Sequence, residues 1–366
     1  MVDKYMKILI DDGMQIKVGT GIGKYSEYLY NSLKSLRNNV ITLDNFRGNK
    51  FKAMGRLMYL RYINSYKYLK SLSDYDVVHY TNYAMPLIKN PEVKYVVTIH
   101  DLASFICPET LPKAYQIYSR FVIKHALQRA DAIVTVSNSV KCEIEQYFPD
   151  YADKVKVVYP GIYSEIVPIS KSGRYENEKL RDLLKRKFFL FVGTIEKRKN
   201  IGIIIEAFVA LKKKFAEAVD YKLVLAGRPG FGYNDYFNLV KNSGFEKDII
   251  FTGYISKDDC NKLYNEASAY VFPSIYEGFG SIQTECMRCH LPLILSDIKT
   301  NREVSRNFGE FFSLDNADEL TQKMLLLVLG KYDYKGKFEV ADRYIQEFNW
   351  GNIAREYNKI YEELRK

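Results

Sequence analysis

Histidine, cysteine and tryptophan are scarce in this 366-residue chain: four, five and one. The cysteines, Cys107, Cys142, Cys260, Cys286 and Cys289, are odd in number and scattered. That excludes a small disulfide-stapled domain and points to a reducing compartment. Cys286 and Cys289 form one CxxC, and nothing else completes a zinc set. No apolar run approaches the roughly 20 residues that cross a bilayer, and the first residues read as a short strand rather than a leader. The expectation is a cytoplasmic protein. Acid is missing locally: residues 45–73 hold seven Lys and Arg, and residues 110–130 hold Lys113, Arg120, Lys124 and Arg129, with no Asp or Glu in either stretch.

What is present is an ordinary globular composition, 47% hydrophobic and 27% charged, which excludes a disordered or fibrous chain. The 54 basic and 44 acidic residues leave a net charge of +10. Such a balance favours polyanions: nucleic acid, an anionic membrane surface or phosphorylated ligands. No nucleic-acid motif is visible, so no nucleic-acid partner is expected.

Apolar β-rich runs alternate with helix-period segments. The strands are expected at 7–11, 77–80, 95–100, 132–137 and 155–159, then at 188–192, 222–226, 249–252, 269–272 and 292–296. Helical patterns lie between them, at 22–36, 52–72, 113–129 and 138–147, then at 200–215, 235–242, 256–266 and 281–289. Continuous Val/Ile/Leu strands alternating with helices imply βαβ units and parallel sheets. The polar stretch 169–186 reads as a linker. The expected fold is therefore α/β, with two Rossmann-like doubly wound domains at 1–168 and 187–346, and an amphipathic segment at 347–366 that includes Trp350, Ile353, Tyr357, Ile360 and Tyr361. Ligands of such sheets bind outside the carboxyl ends of the strands.

Four motifs fall on those loops. Gly19-Thr20-Gly21-Ile22-Gly23 follows the first strand and opens a helix; glycines there let backbone N–H groups approach an anion or a sugar. Its spacing departs from a dinucleotide GxGxxG. His100-Asp101 ends a strand, where a histidine can meet a phosphate or a sugar hydroxyl. Gly193 to Asn200 (GTIEKRKN) sets Lys197, Arg198 and Lys199 before a helix, a cluster suited to diphosphate oxygens. Pro273 to Glu285 (PSIYEGFGSIQTE) spaces Glu277 and Glu285 eight positions apart across a glycine-rich loop-to-helix junction. One carboxylate there can accept from sugar hydroxyls and the other from a ribose. Asp74-Tyr75-Asp76 imitates a metal-binding DxD but precedes its strand, at the wrong edge for chemistry, and reads as a turn.

With these motifs the chain resembles a family 4 glycosyltransferase of the GT-B fold, the retaining type that uses nucleotide sugars. The resemblance runs along essentially all of it, through GTGIG, VVTIHDL, ADAIVTVSNSV, FLFVGTIEKRKN, KLVLAG, IIFTGYI, PSIYEGFGSIQTE and FNWGNIAREYNKIYEEL. EKRKN and the HDL…PE segment most resemble the mannosyltransferase-like branch of bacterial surface-polysaccharide synthesis. The resemblance implies that Glu285 holds the ribose and that Glu277, with the Phe279–Gly280 backbone and Ser281, holds donor-sugar hydroxyls. It also implies that Arg198 and Lys199 neutralise the leaving diphosphate beside Gly193, and that His100 contacts the sugar near the reacting face. Gly21 and Gly23 would approach phosphate and acceptor, Tyr254 and Ile255 would border the base, and the last helix would return to the N-terminal domain. The donor would be a nucleotide-diphosphate sugar such as GDP-mannose. The acceptor would be a glycan, free or linked to polyprenyl diphosphate, met at the inner face of the cytoplasmic membrane. Because cations of the protein face the leaving group, no metal or other cofactor is expected. The chain departs from the family in Thr194, where arginine is frequent, in SIQTE, where LPxxE is common, and in Cys289-His290. A nucleotide-sugar 2-epimerase shares the architecture, and a degenerate donor-binding scaffold would share the motifs; turnover with an acceptor separates them.

Overall fold

The computed structural model describes residues 6–11, 21–36, 40–42, 65–169, 175–183, 186–306, 308–332 and 334–365. They fall into two compact units, Met1–Phe105 with Ala114–Gly161 and Phe348–Lys366, and Ile106–Lys113 with Ile162–Glu347.

The first unit is built on β1 (Ile8–Asp11), α1 (Gly21–Leu36), β2 (Val40–Thr42), α2 (Ser65–Leu72), β3 (Val77–Tyr80), β4 (Lys94–Ile99), α3 (Ala103–Ile106), α4 (Lys113–Arg129), β5 (Ala132–Thr135), α5 (Asn138–Tyr147) and β6 (Val155–Val157). The strands pair in parallel in the order β2-β1-β3-β4-β5-β6. The middles of β1, β3, β4 and β5 are buried on both faces, which is why those strands read as unbroken apolar runs. Ser137 caps α5 by accepting from the Val140 N–H at 3.1 Å.

The second unit contains β7 (Phe188–Val192), α6 (Ile201–Lys214), β8 (Lys222–Ala226), α7 (Tyr233–Lys241), β9 (Ile249–Gly253), α8 (Lys257–Glu266), β10 (Ala269–Phe272), α9 (Ile282–Arg288), β11 (Leu293–Ser296), α10 (Lys299–Ser305), β12 (Glu310–Phe312), α11 (Ala317–Val328) and α12 (Lys335–Ile345). Its parallel order is β12-β11-β10-β7-β8-β9. The order reverses between β7 and β10, so the loops leaving those two strands are neighbours at the switch point. Residues 162–169 and 175–183 belong to this unit. The Val167 and Ile169 N–H groups donate to the Asn261 and Asn265 side chains at 3.0 and 2.9 Å. Glu176 and Asn177 N–H both donate to the Asp259 carboxylate at 2.8 Å. Backbone donors satisfied in this way explain why a stretch with a polar, linker-like sequence, read from 169 onward, is held on the α8 surface.

The last helix, α13 (Trp350–Arg365), lies in the first unit. Trp350, Ile353, Ala354, Tyr357, Ile360 and Tyr361 are its buried face, the 3–4 spacing of an amphipathic helix. It packs on α1. Tyr357 and Tyr25 share a hydrogen bond between hydroxyls, and the Tyr361 hydroxyl meets His79 Nδ1 at 2.7 Å. The indole of Trp350 lies over Gly161, where a Cβ would come within 2.6 Å of the ring. Only a glycine leaves room for it.

The sequence reading contained no element at β2, β12, α3, α10, α11 or α12. The helix expected at 52–72 is described only over α2, and residues 45–64, most of the first acid-free stretch, lie outside the described residues, as do Gly19 and Thr20.

Candidate functional site

At the switch point of the second unit, chain direction is set by two glycines. The Gly193 N–H donates to the Ala226 carbonyl and the Gly227 N–H to the Gly253 carbonyl, each at 2.9 Å. A Cβ on Gly227 would stand 1.7 Å from the Gly193 oxygen, so the ends of β7 and β8 touch backbone to backbone. The chain then makes a single 3-10 turn, Lys197–Lys199, and enters α6 through Asn200 at φ 49°. Asn tolerates that left-handed conformation better than most residues, and its side-chain N–H donates to the Leu314 carbonyl at 3.1 Å.

The turn delivers Arg198 and Lys199 against the loop after β10. The Ile275 N–H donates to the Arg198 carbonyl at 2.9 Å, which ties the two loops together. Glu277 is 6% exposed. Lys199 Nζ pairs with its Oε1, and Arg198 Nη1 stands 3.7 Å from Oε2. Arg198 also reaches Glu196 Oε1 at 3.0 Å and the Tyr276 carbonyl at 3.3 Å. Burial would raise the Glu277 carboxyl, but Lys199 and Arg198 outweigh it and hold the group below the usual carboxylate range. Burial lowers Lys199, with Glu277 pulling the other way. The result is a cluster of two cations and two carboxylates, with Glu277 the buried one, able to donate to phosphate oxygens and to accept from hydroxyls.

The Glu277 loop is braced from beneath. Thr300 Oγ1 donates to the Glu277 carbonyl at 2.8 Å. Ser296 Oγ donates to the Ser274 carbonyl at 2.7 Å. The Asn301 side-chain amide donates to the Ser296 carbonyl at 2.9 Å and accepts from Gln283 Nε2 at 2.9 Å. Gln283 sits under Gly280, whose φ is 75° and where a Cβ would lie 2.5 Å from Gln283 Nε2. Sequence reasoning missed the role of Thr300, Asn301 and Ser296, buried polar residues of which the first two lie in a K-T-N run without motif character and the third ends β11. The one available signal was the SIQTE departure, since Gln283 is what reaches Asn301.

The other expected residues of this unit surround the cluster along the chain. Phe279 is buried and Ser281 immediately precedes α9. Glu285, in the middle of α9, is 7% exposed, and its N–H donates to the Ser281 carbonyl at 3.2 Å. Ile255 is buried, whereas Tyr254 is 65% exposed and carries the Arg228 guanidinium 4.5 Å from its ring centre, a cation–π contact that the sequence did not suggest. Cys286 and Cys289 are free thiols. Burial pushes Cys286 up and Cys289 up to about 12, which makes both poor nucleophiles.

In the first unit, His100 follows β4. Its Nε2 lies 2.8 Å from the Thr81 carbonyl, so Nε2 carries the proton, because a carbonyl can only accept. The Tyr25 ring stands edge-on to the imidazole at 4.9 Å and 89°. Burial lowers the His100 pKa, so the ring is neutral near pH 7 and Nδ1 is an acceptor. Gly21 and Gly23 fall in the first turn of α1; Gly21 is exposed, with open space where a Cβ would be, and Gly23 is buried. Asp76 accepts from the Lys7 N–H at 2.7 Å, a turn role for the DxD look-alike. Among the described residues, no group of three His, Cys, Asp or Glu is arranged to hold a metal ion, and no helix is long and apolar enough to cross a membrane.

Comparison with known proteins covers both units. The family model of glycosyl transferases group 1 matches residues 175–345, and that of Glycosyltransferase Family 4 matches residues 26–165. The O-antigen chain mannosyltransferase B of Escherichia coli is 28% identical over 84% of this chain and 86% of its own length. The O-antigen chain mannosyltransferase RfbU of Salmonella typhimurium is 26% identical over 76% and 73%. Among solved structures, Anabaena HepE in complex with UDP-glucose superposes with a TM-score of 0.71 at 18% identity, over 99% of this chain and 100% of that one. With two parallel doubly wound sheets and a family match along each, the chain belongs to the family 4-type glycosyltransferases of the GT-B fold.

Proposed function

We propose that this glycosyltransferase moves mannose, or a related hexose or deoxyhexose, from a nucleotide-diphosphate sugar to a glycan or a polyprenyl-diphosphate-linked glycan in surface-polysaccharide synthesis. GDP-mannose is the first donor to try, because the two relatives named above are O-antigen mannosyltransferases. The observation that carries the reading is the Arg198–Lys199–Glu277 cluster at the β7/β10 switch point, with Glu277 buried between two partly buried cations.

Breaking the bond between anomeric carbon and phosphate builds negative charge on the departing diphosphate. Fixed cations in a water-poor site stabilise that charge without reorganising. Arg198 and Lys199 fill this role in the proposal, so the reaction needs no metal and no other cofactor. Glu277 accepts from hydroxyls of the donor sugar, with the backbone at Phe279, Gly280 and Ser281. Glu285 accepts from the ribose. Gly193 leaves space for the diphosphate, Tyr254 and Ile255 border the base, and Gly21 and Gly23 approach phosphate and acceptor. His100 Nδ1, the neutral acceptor, takes a hydrogen bond from a sugar hydroxyl. The anomeric configuration is retained, with the leaving phosphate oxygen taking the acceptor's proton on the face it departs from.

The experiment is a transfer assay with GDP-, UDP- and dTDP-sugars against a lipid-linked glycan fraction, with the product linkage read by NMR. Retention of the donor's anomeric configuration is the expected outcome. An inverted product overturns the mechanism, and epimerised donor with no transfer overturns the function.

A further inference from the structure

Two consecutive buried residues of α1 hold the His100 imidazole from different directions. Ser26 acts through a neighbour. Its hydroxyl lies 2.6 Å from the Thr81 hydroxyl, and the Thr81 carbonyl is the acceptor for His100 Nε2. Tyr25 acts directly, with its ring edge-on to the imidazole. Tyr25 is fixed in turn by α13. Its hydroxyl is bonded to the Tyr357 hydroxyl, and its ring stands 5.6 Å from the indole of Trp350 at 63°. That indole is itself seated over Gly161. One turn further along α13, the Tyr361 hydroxyl meets His79 Nδ1, and His79 Nε2 meets the Thr98 hydroxyl at 2.8 Å. Thr98 lies two residues before His100, so by the period of a strand α13 is anchored on the side of β4 from which His100 leaves.

A neutral imidazole has two tautomers, and the last torsion of a histidine side chain is a broad one. Only one tautomer in one orientation offers Nδ1 as an acceptor in a fixed direction. The Thr81 carbonyl selects the tautomer, but one hydrogen bond leaves the ring able to rock. The edge of Tyr25 blocks that motion for as long as Tyr25 itself is held, and Tyr357 and Trp350 hold it. We propose that Tyr25 is a positioning residue for His100 and that Tyr357 acts through it, so that the last helix sets the direction in which the imidazole offers Nδ1. The inference rests on the proposed contact of His100 with the donor sugar, and names what makes that contact directional.

The test combines transfer kinetics with a readout of the ring itself, all on the full chain. Tyr25→Leu should lower kcat by up to about tenfold, the reach of one neutral hydrogen bond. Tyr25→Phe, which keeps the ring, and Tyr357→Phe should each lower it less. The two together should lower it no further than either alone, because both delete the same bond. The dissociation constant of the nucleoside diphosphate, GDP for a GDP-mannose donor, should stay at the wild-type value by calorimetry. His100 is one of four histidines, so isotope-labelled histidine and long-range proton–nitrogen spectra read its tautomer, with His100→Gln identifying its signal. The wild type should show the single Nε2–H tautomer, and Tyr25→Leu a mixture. In a His100→Gln background, Tyr25→Leu should change kcat no further. Circular dichroism and melting temperature check each fold, and the two Phe variants carry the test should Tyr25→Leu not fold. Wild-type kcat and tautomer in the folded variants overturn the positioning, as does the full loss repeated in the His100→Gln background. A wild-type kcat for His100→Gln alone overturns the sugar contact of His100, and this inference with it, while the donor cluster at Arg198, Lys199 and Glu277 stands on its own assay.

Discussion

Lys199 and Glu277 form a buried ion pair across two loops that lie 78 positions apart in the chain. Removing one partner of such a pair leaves an uncompensated charge, typically at a cost of about 3–5 kcal/mol, whereas apolar replacement of both is often tolerated. Lys199→Met should destabilise by about 3 kcal/mol, the low end, because Arg198 remains beside Glu277. Lys199→Met with Glu277→Leu should regain most of that stability and none of the activity. Urea denaturation and transfer rates decide it, and a double variant as unstable as the single one would argue against a desolvated pair.

The brace under the Glu277 loop gives a separate expectation. Thr300→Val removes the bond to the Glu277 carbonyl, a loss of about 1 kcal/mol in ground-state terms. It should lower kcat several-fold while the donor dissociation constant stays near wild type. For Gln283→Leu and Asn301→Leu, a double-mutant cycle should show coupling of about 0.5–3 kcal/mol. Strict additivity would mean that the Gln283–Asn301 hydrogen bond does not support the loop.

In the first unit, His79 is enclosed between Tyr361 and Thr98, and burial, aided by nearby His100, lowers its pKa to about 3. The unfolded chain takes up this proton near the ordinary value of about 6.5, so it binds more protons than the fold below that pH. Stability should fall with acid at up to about 1.4 kcal/mol per pH unit, or about 2 kcal/mol by pH 5. Denaturation midpoints of wild type and His79→Gln between pH 5 and 7.5 check this. The variant should show the shallower slope, and parallel curves would refute the assignment.

Gly227 is a steric requirement rather than a flexible joint. A Cβ there meets the Gly193 oxygen at 1.7 Å, and its φ of 151° is one that residues with a side chain rarely adopt. Gly227→Ala should cost well over 1 kcal/mol, read as a lowered melting temperature, with loss of donor binding because the turn carrying Arg198 and Lys199 starts at Gly193. Unchanged melting and binding would show that β7 and β8 can part there at no cost.

Eight of the ten expected strands were legible because burial on both faces writes them as continuous apolar runs; β6 and β9, partly exposed, were legible from their β-branched and apolar composition, and the site loops because they follow these strands. Short β2 and β12 were not, since three residues give no period to read and, unlike β6, neither continues into a longer apolar run that would mark it. α10 was missed because Thr300, Asn301 and Ser305 make it a polar helix whose polar groups are buried, the reverse of an amphipathic pattern. For the same reason the brace on Glu277 was invisible. Its members are ordinary polar residues until topology brings Ser296, Asn301 and Gln283 together. The stretch 169–186 read as a linker because its described residues are held by backbone N–H groups, Ile169 on Asn265 and Glu176 and Asn177 on Asp259, and by scattered polar contacts such as the Tyr175 hydroxyl on Glu266, none of which makes a periodic pattern.

The most direct test of the account is the initial rate of sugar transfer in excess EDTA, across the nucleotide-sugar panel, for wild type, Glu277→Ala and Glu285→Ala. Hydrogen bonds to charged groups are worth about 1.5–3 kcal/mol, or roughly 10–150-fold. The predicted result is wild-type activity undiminished by EDTA, a fall in kcat of that size for Glu277→Ala, and a rise in donor KM of that size for Glu285→Ala. Wild-type kinetics in both variants, or activity abolished by EDTA and restored by Mn²⁺ or Mg²⁺, would contradict it.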